Sequence, residues 1–304
     1  MISIEKINDD IQKAVRRVQK AARTTPQEPD YTVALALKFP EILRENNTLP
    51  SNIKVGGCFI HQSPKVEFTY IDQYNNEKIG RCELGDMIVF IRKHMQNDEM
   101  RYNAALLHMK KVDGKIYTLS GRDKIQLSLY IDWPKFSVVN NQYAFHNPYD
   151  LYPKTANQGA MYCLIQNKAH NIPQFYMSEA RKTMKVMPQY TLGRFIVNMI
   201  DWHTGRAVDN IVNENSDKWS KLIWDTLLFT SDTNFNRRNV NYVEQRRYTL
   251  SLMQDKIEKT FFGDDVEDIL IGRNPNAEDA DSGFGILFID VDEREQDEGA
   301  FRNH

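Results

Sequence analysis

The spacing of apolar residues changes along the chain, and each change marks a new kind of element. In residues 1 to 24, Ile4, Ile7, Ile11, Val15 and Val18 recur at steps of three and four, with Lys13, Arg16, Arg17, Lys20 and Arg23 between them. This is an amphipathic helix with an apolar stripe against the body and a basic, solvated face. Thr25-Pro26-Gln27-Glu28 reads as the next helix start, with a capping Thr, Pro in the first position and Glu three residues after the cap. The apolar segment Tyr31 to Leu43 continues that helix, and Pro40 is expected to kink or end it.

From Val55 the period shortens. Val55 to Phe59 and Lys65 to Tyr70 read as strands, joined as a hairpin across Gln62-Ser63-Pro64, and Asn75-Asn76 marks a further turn. Met87 to Ile91 and Ala104 to Met109 are unbroken apolar runs, the mark of strands buried on both faces. Val112-Asp113-Gly114-Lys115 is a turn, Arg122 to Tyr130 is helical or mixed, and Ala160 to Gln166 is another strand. Beyond Ser178 helical spacing returns, clearest in Leu192 to Ile200 and Trp219 to Phe229, and Gly283 to Val291 reads as a late strand. The chain divides into an N-terminal helix (1–24), an α/β core (25–177), a mostly helical region (178–291) and an acidic tail (292–304).

Composition adds a soluble, cytoplasmic expectation. The 304 residues are 41% apolar, enough for a large core, with no membrane-length apolar run and no signal-peptide pattern at the start. Cys58, Cys82 and Cys163 are too few for a disulfide framework and read as free thiols. The net charge of -2 hides an asymmetry: residues 264 to 304 carry thirteen acids against three arginines, so residues 1 to 263 hold a net +8. A basic body suits a polyanionic partner, although it is also ordinary surface composition.

The chemistry concentrates in Glu83-Leu84-Gly85-Asp86-Met87-Ile88-Val89 and in Leu107-His108-Met109-Lys110. Asp86 stands at the mouth of one buried strand. His108 and Lys110, two apart on the next, point to one side. A buried Asp and Lys without pairing or a metal are costly, so their placement asks for a reason. The bland reading is that Glu83 and Asp86 end a strand, Lys110 and Lys111 form a solvated strand end, and Glu28 only caps a helix. The seven histidines hold no close ligand-spaced pair, and His61, His94, His146, His170 and His203 read as surface or hydrogen-bonded groups. Trp133 and Phe136 read as core, with stacking on a base as the rival role. Arg237-Arg238 and Glu244 to Arg247 read as solvated faces. Motifs for serine hydrolases, phosphate loops, dinucleotide folds and zinc proteases are all missing from the sequence.

The strand-Asp, strand-x-Lys order resembles the PD-(D/E)xK restriction-endonuclease-like superfamily over about residues 25 to 170. That resemblance implies an α+β fold: a central mixed sheet with an αβββαβ core, here followed by a helical C-terminal extension. It implies a metal-dependent nuclease in which Asp86, Lys110, His108 and Glu28 are catalytic. Asp86, Glu28 and His108 would bind Mg²⁺ or Mn²⁺. Nucleic acid, DNA ahead of RNA, is the implied substrate, in a restriction, repair or defence setting, with a protein partner docking on the C-terminal region. His108 departs from the family pattern, which has Glu or Gln there, and this opens a rival reading as a catalytically decayed binding subunit.

Overall fold

The computed structural model of the protein describes residues 2–21, 26–60, 63–72, 74–114, 116–139, 145–157, 159–167, 173–210, 217–236 and 283–294. Helix α1 (Ile4–Ala21) buries Ile7, Ile11, Val15 and Val18, as the stripe predicts. Helix α2 (Glu28–Val33) begins later than expected. Its cap is Gln27, whose main-chain N–H donates to Asp30 Oδ2 at 2.7 Å, so Asp30 and not Glu28 fills the capping position. Thr25 lies outside the described residues. Pro40 neither ends nor breaks the helix: a π-helical turn, Ala34–Lys38, runs straight into α3 (Phe39–Glu45), with Pro40 in the first turn of α3. The missing proline N–H is absorbed where the hydrogen-bond register is already shifting.

Among the described residues thirteen strands follow in chain order. The first five are β1 (Ile53–Ile60), β2 (Lys65–Ile71), β3 (Glu77–Glu83), β4 (Met87–His94) and β5 (Met100–Val112). Next come β6 (Tyr117–Thr118), helix α4 (Asp123–Asp132), β7 (Phe136–Val138), β8 (Ala160–Asn167), β9 (Pro173–Ser178), β10 (Lys185–Val186) and β11 (Tyr190–Thr191). Helix α5 (Leu192–Ile200), β12 (Arg206–Val208), helix α6 (Lys218–Asn236) and β13 (Phe284–Asp292) complete the described chain.

The central sheet is mixed, in the order β1-β13-β4-β5-β8-β9-β11, with β12 on the start of β5. β4 and β5 are antiparallel, β5 and β8 are parallel with α4 crossing between them, and β13 lies parallel to β4. The expected β1 to β2 hairpin does not form. β1, buried along most of its length, joins the central sheet against β13, whereas β2 alternates between buried and exposed and pairs with β3 and β7 in a second sheet. A strand with two covered faces belongs in the middle layer, and one with a single covered face belongs outside. Region 178–291 holds helices α5 and α6 as expected, but it also supplies β11, β12 and the inner strand β13, so it does not stand apart as an extension. Residues 237–282 and 295–304, with Arg237-Arg238, Glu244 to Arg247 and most of the acidic tail, lie outside the described residues.

One face of the central sheet is covered by α1, α2, α3 and α5 through Ile11, Leu35, Phe39, Val89, Leu107 and Phe195. The other is covered by α4, α6 and the second sheet through Phe68, Phe90, Leu106, Trp133, Trp219 and Phe288. At one end of β4, Arg92 grips Asp290 of β13 through two hydrogen bonds of 2.8 and 2.9 Å in a nearly buried pair. Such bidentate geometry fixes the register of the two strands. Among the described residues no helix is long and apolar enough to cross a membrane.

Gly57 is the tightest point between the layers. A Cβ there would lie 2.1 Å from the Ala36 carbonyl oxygen and 2.6 Å from that of Ile286, both main-chain atoms. Gly57→Ala should therefore cost at least about 2 kcal/mol by forcing the helix off the sheet. Urea unfolding measures it, and an unchanged midpoint would show that the contact yields freely.

Candidate functional site

The site is built at an overhang. β4 begins at Met87, paired with Leu107, while β5 runs on to Val112 and leaves its edge toward β4 without a strand partner over that last stretch. Two carboxylates cover the exposed N–H groups. Asp86 Oδ2 accepts from Met109 N–H at 2.6 Å, and Glu28 Oε1, at the start of α2, accepts from Lys111 N–H at 2.9 Å. Main-chain bonds fix Asp86 on both sides, with its N–H donating to Leu107 O and its own carbonyl accepting from Gly285 of β13, each at 2.9 Å. The β13 contact could not be foreseen from local pattern, because Gly285 lies far along the chain.

On the same stretch of β5, His108 and Lys110 project from the face shared with Leu106, toward α4. His108 Nδ1 lies 2.8 Å from Asp86 Oδ2, yet it makes no hydrogen bond of acceptable angle, so the contact is one of charge and proximity. Burial disfavours the charged imidazole, but the Asp86, Glu28 and Glu83 carboxylates outweigh it, and the His108 pKa is raised. Lys110 Nζ donates to Asp123 Oδ1 at 2.8 Å in the first turn of α4. Burial again works against the charge, the Asp123 hydrogen bond and the Glu28 charge outweigh it, and the Lys110 pKa is raised. Asp86, His108, Lys110 and Glu28 are thus brought to one corner.

Glu83, read from sequence only as a strand end, and Asp123, which the sequence does not single out, belong to the corner as well. Burial and the adjoining Asp86 charge push the Glu83 carboxyl up to about 8, with a hydrogen bond between the two side chains. The signal for Glu83 was its position three residues before Asp86, across a Leu84-Gly85 turn that Tyr130 holds by donating to Leu84 O at 2.9 Å. Asp123 carried no such signal, since an acid in a helix's first turn is ordinary. Glu28, Glu83, His108, Lys110 and Asp123 line a cleft of about 910 Å³ with Lys65, Glu67, Ile79 and Arg81 on the second-sheet wall and Arg122, Ile125 and Gln126 on the α4 wall, while Asp86 is buried behind this lining.

The expected metal trio of Asp86, Glu28 and His108 is not gathered as a ligand set. Glu28 and Asp86 each commit an oxygen to β5, and among the described residues no three His, Cys, Asp or Glu side chains stand in ligating geometry. The carboxylates in contact are Glu83 and Asp86, one of which retains a proton near neutrality. A pair that traps a proton in this way fits a hard cation in the proton's place. Mg²⁺ commonly takes one or two carboxylates and completes its shell with water and substrate phosphate.

Other residues singled out from sequence have structural roles. Trp133 and Phe136 are buried in the core, and Cys58 and Cys163 are buried thiols with burial-raised pKa values. Cys82, lining the cleft, is pushed up to about 12 by burial. His146 Nδ1 lies 2.8 Å from buried Asp225, which Tyr149 also bonds, and His94 lies 3.2 Å from Asp290. His203 donates its main-chain N–H to Asn198 O. His61 and His170 lie outside the described residues. No family model matches the chain, and neither curated proteins nor solved structures give a match.

The acid pair carries a pH signature. Unfolded Glu83 ionises near the ordinary carboxylate range while folded Glu83 keeps its proton to about 8, so between these values the native state binds more protons and stability falls as pH rises. Glu83→Gln removes that loss. In cation-free buffer its melting temperature should gain on the parent's from pH 5 to pH 8 and then level off. A difference independent of pH would show that the carboxyl holds no extra proton.

Proposed function

We propose that the protein is a metal-dependent nuclease, a hydrolase of phosphodiester bonds. One arrangement carries this reading: a strand-entry carboxylate, Asp86, and a helix carboxylate, Glu28, flank the free edge of the strand that bears His108 and Lys110. The order α2 and α3, β1, β4, β5, α4, β8 also runs helix, strands, helix, parallel strand, as the resemblance implies, with β2 and β3 inserted and β13 lodged between β1 and β4.

Glu83 and Asp86 would hold the cation. When bound, it would lower the pKa of a water molecule and neutralise charge gathering on the phosphorane oxygens. Lys110, kept charged and aimed by Asp123, meets that negative charge as a fixed donor in a site partly screened from solvent. His108, its charged form favoured by three carboxylates, can carry a proton to the leaving oxygen. Glu28 holds the edge of β5, so that the spacing of His108 and Lys110 does not drift. DNA ahead of RNA, and a defence or restriction setting, rest on the resemblance alone.

A specific observation favours a second reading. The oxygens of Asp86 and Glu28 that bond β5 do structural work, and His108 replaces an acidic or amide residue, as in a site kept for binding after chemistry is lost.

Cleavage of plasmid and of single-stranded DNA and RNA with Mg²⁺ and with Mn²⁺ separates the two. Asp86→Asn keeps an acceptor for Met109 N–H, and Lys110→Gln keeps a donor for Asp123. Each should lower the rate at least about 100-fold while the melting temperature barely moves. Loss of activity in step with loss of folded protein would make both residues structural. His108→Glu should move metal preference from Mn²⁺ toward Mg²⁺ if His108 touches the cation, since imidazole suits the softer ion. A fixed Mn²⁺ to Mg²⁺ ratio assigns it proton transfer instead. Binding without cleavage under any metal selects the second reading.

A further inference from the structure

Strand β3 is an edge of the second sheet, bonded to β2 on one side only. At the two ends of this hairpin, Leu84 N–H donates to Pro64 O and Asp72 N–H to Asn76 O. Antiparallel pairs alternate between bonded and unbonded. Lys78, Gly80 and Cys82 therefore exchange main-chain bonds with β2, while the N–H and C=O groups of Glu77, Ile79 and Arg81 turn outward. Among the described residues no hydrogen bond reaches these outward groups. An open row of this kind is a template for another strand, and folded proteins usually blunt it with a bulge, a proline or charges that repel a copy. β3 has no proline, its register with β2 is unbroken, and the charges on either side of Ile79 are opposite in sign.

The side chains of the three outward residues share the solvent face of the sheet. Ile79 is 73% exposed. Glu77 is exposed and makes no ion pair among the described residues. Arg81 gives its Nε to Glu67 of β2, and its two terminal nitrogens have no partner among the described residues. Antiparallel pairing with a second β3, about a twofold axis at Ile79, answers each of these features. It sets Ile79 against Ile79 and Glu77 against Arg81 on both sides of the axis. On the other face Lys78 meets Gly80, which has no side chain to crowd it. A shift of two residues one way puts Glu77 opposite Glu83 and Ile79 opposite Arg81, and the other way puts Glu77 opposite Ile79. A shift of one sets outward groups against groups already bonded to β2. The strand therefore selects a single register with its own copy.

We propose that two copies of the chain associate through β3, antiparallel and centred on Ile79, and so join their three-stranded second sheets edge to edge. Ile79 and Arg81 also line the cleft, so each copy sets its Glu77 at the rim of the other's cleft. The association requires neither metal nor nucleic acid and stands or falls apart from the nuclease reading.

Sedimentation equilibrium of the full chain, from about 1 to 200 µM, tests it over the range suited to a small interface. The parent should show a monomer–dimer equilibrium. Ile79→Pro removes only an outward N–H, so the bonds to β2 survive and the chain should fold but stay monomeric. Glu77→Lys sets like charges against each other at two places across the axis, and Arg81→Glu does the same with the opposite sign. Each should weaken the dimer at least about 10-fold. An equimolar mixture of these two variants regains both opposite-charge pairs in the mixed dimer, and its dissociation constant should return to within about threefold of the parent's. A chain that is monomeric at every concentration overturns the proposal and leaves the edge to a strand of another protein. A dimer that persists in Ile79→Pro, or a mixture no tighter than its components, overturns it as well, because the copies then meet elsewhere or in another register. Circular dichroism and melting temperature identify a variant that fails to fold; if Ile79→Pro does so, the mixture decides alone.

Discussion

Strand β5 has thirteen residues and its neighbour β4 has eight, so part of one edge of β5 has no strand to bond. In a buried sheet each unpaired N–H would cost about as much as a lost hydrogen bond. The chain meets that constraint with side chains, placing Asp86 on Met109 and Glu28 on Lys111. Much of the local architecture follows. The carboxylates must arrive from a strand mouth and a helix start, and the residues between the capped positions, His108 and Lys110, are held at fixed height beside them.

Once two carboxylates are needed at a sheet edge, electrostatics decides how the rest is occupied. Glu83 adds a further acid, and the surplus is balanced by a retained proton, a favoured imidazolium and an ammonium tied to Asp123. Glu83, His108 and Lys110 all bind their protons more tightly than usual, a pattern that marks a functional-site candidate. Tyr130, by donating to Leu84 O, anchors the turn that carries Glu83 to Asp86.

Local pattern was a good guide wherever one element decided the outcome. The α1 stripe, the two buried runs that became β4 and β5, and the grouping of Asp86 with His108 and Lys110 were all legible, because alternation and helical spacing report directly on which side chains share a face. Three features were not. The start of α2 falls later because Asp30, three residues after Gln27, closes a capping box there, while Glu28 turns its side chain to the Lys111 N–H of β5. The β1 to β2 hairpin failed because a short link between strands says nothing about which sheet each joins, and continuous burial of β1 was the better clue. Asp123 was invisible because its importance comes from Lys110, thirteen positions earlier on another element.

β13 occupies an interior lane of the sheet, between β1 and β4, although it is the last strand in the described chain. During synthesis both neighbours emerge long before it and expose unpaired edges to whatever strand comes near. Closing that gap requires contacts across some two hundred residues of chain, the slow kind of ordering step. Gly285 of this strand is also what bonds the Asp86 carbonyl. The corner that holds the charged groups therefore acquires its final geometry only when β13 has docked beside β4, so the site is assembled by a late, long-range pairing and not by its own local sequence.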